Sequence, residues 1–155
     1  MNGPDFSSPW YQQHVIRLCL SYFHWTGKLL IPNEQQKTSP VKSMFESEFV
    51  LVSHGTDAIP VFNFANDNAL KLFEMSWEEF IRLPSKYSAD DDNQADRAEL
   101  MQRVSRDGYA DDCRGIRISS SGKRFLIEGA TVWNVIDDQQ KYYGQAAMFT
   151  NWKYL

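Results

Sequence analysis

The last third of the chain, Gly115 to Trp152, sets the terms for any fold this sequence can adopt. It reads GIRISSSGKRF, then LIEGATVWNVIDDQQKYYGQAAMFTNW. Three runs rich in β-branched and aromatic residues are separated by SSSG and by DDQQK, the pattern of three antiparallel strands joined by two tight turns. Turns this short make the strands neighbours in one sheet. With the second turn centred on Gln139, Val135 faces Tyr143, Trp133 faces Gln145, Thr131 faces Ala147 and Gly129 faces Phe149. Alternation puts these residues on one face with Phe125 and Ile127. The other face then holds Leu126, Glu128, Ala130, Val132, Asn134 and Ile136, opposite Gly144, Ala146, Met148 and Trp152. Both faces are largely apolar, so both need a cover, and a one-residue slip would exchange them.

Candidates for those covers lie upstream. Ser8 followed by Pro9 is a helix start, a capping hydroxyl and then proline at the first helical position. The helix continues through WYQQHVIRLCLSYFHW and stops near Gly27. One apolar row holds Tyr11, Val15, Leu18, Tyr22 and Trp25, and a second holds Ile16, Leu20 and Phe23. Together they exceed the stripe needed to face one core, which suggests either burial on two sides or contact with a second chain. A polar connector, Leu29 to Pro40, leads to a short helical turn at Ser43 to Glu48. FVLVSH (Phe49 to His54) and VFNFA (Val61 to Ala65) are strands around the turn GTDAIP. Asn66 caps a short helix, DNALKLFE, and Ser76 with Glu79 makes a capping box for SWEEFIRL, which Pro84 ends. After the loop KYSADDDNQ, Asp92 or Asn93 caps a third helix to about Asp107, buried along Leu100, Met101 and Val104 and stopped by Gly108. The order is helix, then β-β-α-α-α-β-β-β: an α+β fold with one five-stranded antiparallel sheet, short helices on one face and an amphipathic N-terminal helix.

At 155 residues with 43% hydrophobic and 14% aromatic content, the chain fits one well-filled domain. Residues 1–42 form its N-terminal helix and connector and 43–155 the sheet domain. Net charge is −4 and no basic stripe appears, which disfavours direct nucleic-acid binding. Cys19 and Cys113 are far apart, with no metal or redox spacing, and read as free thiols of a reducing, cytoplasmic setting. The start MNGPDFSSPW lacks signal-peptide features, and no apolar run is long enough to span a bilayer.

The element order is the PAS order, and NFANDNALKLFEMSWEEF resembles the PAS segment in which a strand ends in Asn, a short helix follows and a second begins S-x-E-E-F. More closely, SHGTDAIPVFNFANDNALKLFEMSWEEF, RGIRISSSGKRFLIEGATVWNVID and GQAAMF resemble the MEKHLA domain over nearly the full length. That PAS-like domain closes plant class III homeodomain-leucine-zipper proteins and occurs in small stand-alone bacterial proteins, which this chain resembles. The resemblance implies a sensory or regulatory module and leaves the ligand unknown. Two departures bear on cofactors. PAS-class flavin photoreceptors carry a reactive cysteine after the second short helix, and a glutamine two residues past the last-strand glycine. Here Ser85 to Gly108 holds no cysteine, Gln145 directly follows Gly144, and Ala146 takes the expected place. Haem-binding PAS sensors use a histidine on the long helix, which has none. Covalent flavin and haem are therefore disfavoured, with His54 the one histidine placed to reach a pocket.

Candidate ligand-binding residues are His54, Asn66, Arg117, Glu128, Trp133, Asn134 and Gln145. His54 alternates with Val50 and Val52 and sits at the core rim, either satisfied by a backbone carbonyl or anchoring a ligand. Glu128 lies mid-strand and needs a partner if buried, for which Arg114 and Arg117 are the candidates. Trp133, Asn134 and Gln145 would suit a planar ligand if they faced one cavity. Asp90, Asp91, Asp92 and Asp96 lack the glycine and terminal glutamate of a calcium loop and read as a solvated helix start. His14 and His24 do not share a helix face, and no catalytic or metal constellation appears. The leading expectation is a non-enzymatic sensor that binds a small molecule and forms a homodimer through the Tyr11–Trp25 helix and the outer sheet face. The alternatives are a small α+β isomerase or dehydratase with Glu128 or His54 as base, and an interaction domain with no ligand.

Overall fold

Ser8 and Pro9 do open the first helix. In the computed structural model, which describes residues 3–32, 39–89 and 94–155 (94–96 without their side chains), the Ser8 hydroxyl accepts the Tyr11 N–H of α1 (Pro9–Thr26). Gly27 ends α1 in the left-handed region, with its N–H on the Phe23 carbonyl at 2.8 Å. A second helix, α2 (Pro40–Phe45), starts three residues before the expected turn because Ser39-Pro40 repeats the Ser-Pro start, Ser39 accepting the Lys42 N–H. The connector before it is less polar than expected at its beginning, where Leu30 and Ile31 are buried.

The strands are β1 (Val50–His54), β2 (Phe62–Ala65), β3 (Tyr109–Ile118), β4 (Arg124–Ile136) and β5 (Tyr142–Phe149). They form one antiparallel sheet in the order β2-β1-β5-β4-β3. The chain breaks step at Thr150 and continues as β6 (Asn151–Tyr154), which pairs with the first half of β4, Glu128 opposite Asn151. The sequence pattern alone runs β5 on through Trp152 without this break. Between β2 and β3 come α3 (Asp67–Phe73), α4 (Trp77–Phe80), a 3-10 turn at Ser85–Ser88 and α5 (Gln94–Asp107). Asn66 caps α3, and Ser76 with Glu79 forms the capping box of α4. α4 is shorter than SWEEFIRL because the chain after it is pinned to β2: the Phe62 N–H donates to Leu83 O at 3.0 Å and Val61 bridges Pro84. Along α5, Val104 is buried and Leu100 half-buried, while Met101 is 38% exposed. The proposed cap at Asp92 or Asn93 and the acidic run lie outside the described residues or side chains.

Two irregularities set the faces. Gly129 has φ 68°, and the β3–β4 pairing shifts there, from Gly115 opposite Ile127 to Cys113 opposite Ala130. A residue at positive φ inserts a bulge and flips the alternation beyond it. At the other end, Ile136 faces Tyr142 as the turn requires, but the next pair is Val135 with Gly144. Every subsequent pair is therefore one residue off the expectation: Trp133 faces Ala146 and Thr131 faces Met148. The extra residue, Tyr143, has the Arg17 guanidinium over its ring at 4.6 Å and His14 near it, so α1 holds the bulge. The inner face accordingly carries Phe125 and Ile127, then Ala130, Val132 and Asn134, opposite Gln145, Ala147 and Phe149. Trp133 and Val135 turn outward.

α3, α4 and α5 cover the inner face and the β2 edge, with Phe62 stacked on Phe80 at 4.3 Å and Phe73 edge-on to Phe125 at 5.3 Å. Glu74, in the left-handed region at the end of α3, clips the SSSG turn to that helix. Its carboxylate accepts from Ser119 and Ser121 and pairs with Lys123, and those serine hydrogen bonds hold its pKa down at about 2.

α1 covers the outer face in the same chain. Its Tyr11-to-Trp25 row turns inward, with Tyr22 edge-on to Trp133 at 4.9 Å, and Ser21 bonds both backbone groups of Ile136. Ile16, Leu20 and Phe23 point to solvent. His14 is buried beneath Trp10, its Nε2 2.9 Å from the Ser53 hydroxyl. Ser53 donates its one proton to Asn63 Oδ1 at 2.5 Å, so Nε2 must carry the histidine proton, and Nδ1 has no partner among the described residues. Burial, and then the charge of Arg17, lowers the His14 pKa to about 4. A base whose pKa falls on folding stabilises the native state above its unfolded pKa, and that stability is lost as pH falls toward the folded value. Urea unfolding should therefore show stability dropping between the ordinary histidine value of 6.5 and about 4, by at most about 3 kcal/mol. The His14→Gln variant should show a flatter profile over the same range.

Candidate functional site

A cavity of about 120 Å³ lies between the inner sheet face and α5. Its floor is mostly apolar: Val52 from β1, Ala147 and Phe149 from β5, Ile127 and Val132 from β4, and Cys113 from β3. Leu100 and Met101 of α5 close it from above, with Ser85, Ser88 and Ala89 at one side. An engineered apolar cavity of about 150 Å³ holds one benzene ring, so the space here is on the scale of a small molecule.

Three of the sequence candidates meet here. His54 and Gln145 are directly opposed on β1 and β5 at one end of the cavity. The His54 Nδ1 lies 2.9 Å from the Gly55 carbonyl, so that nitrogen carries the proton, and Nε2 has no partner among the described residues. Arg117 reaches the cavity from β3, diagonally across the sheet. Arg97 of α5 and Arg114 of β3 also line the cavity, and no aspartate or glutamate lines it among the described residues. Arg117 is partly buried and donates from Nη1 to its neighbour's carbonyl, Ile116 O, at 3.0 Å. Burial, and then the like charge of Arg97, lowers its pKa to about 10. The Cys113 thiol, pushed up chiefly by burial, donates to Ala110 O at 3.4 Å.

Asn134 adjoins the cavity without lining it. Its Oδ1 accepts from Gln145 Nε2 at 3.4 Å, its Nδ2 reaches Val104 O on α5 at 3.4 Å, and its carbonyl accepts the Trp25 indole N–H of α1 at 2.9 Å. The remaining three candidates lie elsewhere. Trp133 is on the outer face under α1, because the Gly129 bulge turns it away, and its buried indole nitrogen has no partner among the described residues. Asn66 is fully buried with its amide engaged: Oδ1 accepts from Leu51 N and Ala69 N, and Nδ2 donates to Phe49 O. Glu128 points away from the cavity and pairs with Lys153 of β6 at 3.6 Å, not with Arg114 or Arg117. The strand neighbour that supplies that lysine was not foreseen. Arg97 was also missed, since one arginine on a polar helix gives no sequence signal.

The strand order, the helical excursion on one face and the cavity beneath the long helix define a PAS-like domain. Solved structures agree. The PAS domain of a protein from Colwellia psychrerythraea superposes with a TM-score of 0.61 at 13% identity, covering 74% of this chain and 92% of that one. A light-oxygen-voltage domain, from a study of its mechanism with a flavin analogue, gives 0.58 at 10% identity, covering 74% and 83%. An RNA-binding light-oxygen-voltage receptor gives 0.62 at 11%, covering 77% and 34%.

The family model for the MEKHLA domain matches residues 12–154, and the chain belongs to that family. Its similar proteins include homeobox-leucine zipper protein HOX32 of Oryza sativa subsp. indica, 27% identical over 133 residues, 86% of this chain. ATHB-14 of Arabidopsis thaliana is 30% identical over 100 residues, 64% of this chain. The matches span 16% and 12% of those relatives' lengths. Family membership supports the non-enzymatic reading. Among the described residues no helix is long and apolar enough to cross a membrane, and Cys19 and Cys113 are free thiols.

Gly144 holds the His54–Gln145 end together. At φ 153°, a Cβ there would sit 2.2 Å from the His54 carbonyl oxygen, a backbone atom with no room to move. Gly144→Ala should cost about 3 kcal/mol or more and lower the Tm by about 10 °C. Differential scanning calorimetry provides the check.

Proposed function

We propose that this domain is a ligand-responsive sensory module that holds a small molecule between its sheet and α5. The observation that supports this most directly is the cavity itself, with apolar walls, a His54–Gln145 pole at one end and arginines at the other. Ligand sites have this makeup, a mainly apolar surface with a few placed polar groups. Asn134 supplies the route outward. Its side chain meets Gln145 and α5, and its backbone meets Trp25 of α1. A ligand that moves Gln145 or α5 changes the hydrogen bonding of the residue on which α1 rests.

Mass spectrometry and an absorption spectrum of protein purified without added ligand test the reading. A copurified small molecule is expected, and Ala147→Leu, which fills the cavity floor, should reduce its occupancy. Ligand-free protein that also shows no thermal stabilisation with any member of a small-metabolite panel would reject it.

Self-association through α1 is a second part of the reading, favoured by one observation. Ile16, Leu20 and Phe23 stand at helical spacing on the solvent side of α1, with exposures of 38%, 61% and 51%. Three large apolar side chains in one row on a helix suit a second copy of the same helix. With the outer sheet face under α1 and Trp25 hydrogen-bonded to Asn134, this row is the part of the helix left for a partner. Light scattering should report a dimer that Leu20→Glu with Phe23→Glu converts to monomer. A monomeric wild type, or a double variant that remains dimeric, would exclude this interface.

A further inference from the structure

Among the described residues, the arginines in the cavity wall have no carboxylate partner. Arg117 and Arg97 reach it from opposite sides, β3 and α5, and each repels the other. None of the ion pairs among the described residues involves Arg97, Arg114 or Arg117, although Arg103, one turn and a half along α5, has Asp111. Among the described residues Arg117 makes one side-chain hydrogen bond, to the adjoining Ile116 carbonyl, out of five donors. Gly115 makes space for it: a Cβ at that position would lie 3.2 Å from Arg117 Nη1. A partly buried guanidinium without a carboxylate is costly, and its planar fork matches an oxyanion group. The next stretch of wall, Ile127, Val132, Ala147 and Phe149, is apolar.

We propose that the cavity takes a small monocarboxylate, its anionic head clamped by Arg117 with Arg97 adding charge, and its short apolar body lying over Ile127, Val132 and Ala147. This rests on the ligand-binding reading above and names its ligand class. The small volume selects a body on the scale of one ring or a short chain.

Isothermal titration calorimetry with hexanoate and phenylacetate, each against its neutral amide, separates the two claims. The acids should bind the wild-type protein, and the amides at least tenfold more weakly. Arg117→Gln should abolish the difference between acid and amide. It should also raise the Tm of ligand-free protein, because it removes a partly buried charge with no carboxylate partner among the described residues; a purely structural arginine would lower it on removal. Arg97→Gln, at an exposed position where folding is not at stake, should weaken acid binding several-fold. Equal binding of acid and amide would leave the ligand-binding reading standing and overturn the carboxylate assignment. So would a lower Tm for Arg117→Gln with acid binding intact in Arg97→Gln. Binding of neither acid nor amide overturns the carboxylate assignment as well, while copurification and the metabolite panel continue to judge the cavity reading on their own.

Discussion

A β-sheet apolar on both faces has to be covered twice, and everything else in this molecule follows from how that is done. The inner face receives the helical pieces between β2 and β3. The outer face receives α1, whose Tyr22 stands edge-on to Trp133 and whose Val15 and Leu18 are fully buried. Burial of this many large side chains on a strand's second face is worth roughly 1.5–3 kcal/mol each, enough to make α1 part of the same core as the sheet. The helix also brings polar anchors: Ser21 to Ile136, Trp25 to Asn134 and His14 to Ser53.

Covering both faces decides where bulges can go. Gly129 lets β4 present Phe125 and Ile127 inward and then switch, so that Ala130 and Val132 continue the inner floor while Trp133 joins α1. Small and branched residues over α5 leave a cavity; a tryptophan there would fill it. The second bulge, at Tyr143, is held by Arg17 and His14 and brings Gln145 opposite Asn134. The same packing that buries Trp133 therefore both opens the cavity and connects it to α1.

Two asparagines show how a buried amide serves structure and signalling differently. Asn66 spends its side chain on backbone groups of β1 and α3, which fixes the crossover and leaves nothing for a ligand. Asn134 spends its own on a side chain and a helix carbonyl at long distances of 3.4 Å, contacts that can be exchanged at small cost. Glu128 shows a third outcome: with Lys153 alongside on β6, it is a surface ion pair and not a buried base.

The local signals were legible from residues alone. Ser8-Pro9, Asn66, the Ser76–Glu79 box and Gly108 mark helix ends through hydrogen bonds made within a few residues, and the SSSG and DDQQK turns set strand number and order. His54, Arg117 and Gln145 were legible as candidates because each is a polar side chain set into a largely apolar strand. The register of β4 and β5 was not legible, nor the outward turn of Trp133, the row of α1 that faces solvent, or the meeting of Arg97 with Arg117. Each of these depends on groups more than ten residues apart competing for the same space. Local chemistry thus determined which elements form and where they end; only the packing of α1 and α5 on opposite faces decided which side chains share a cavity, because a strand's alternation carries no information about where a bulge will reverse it.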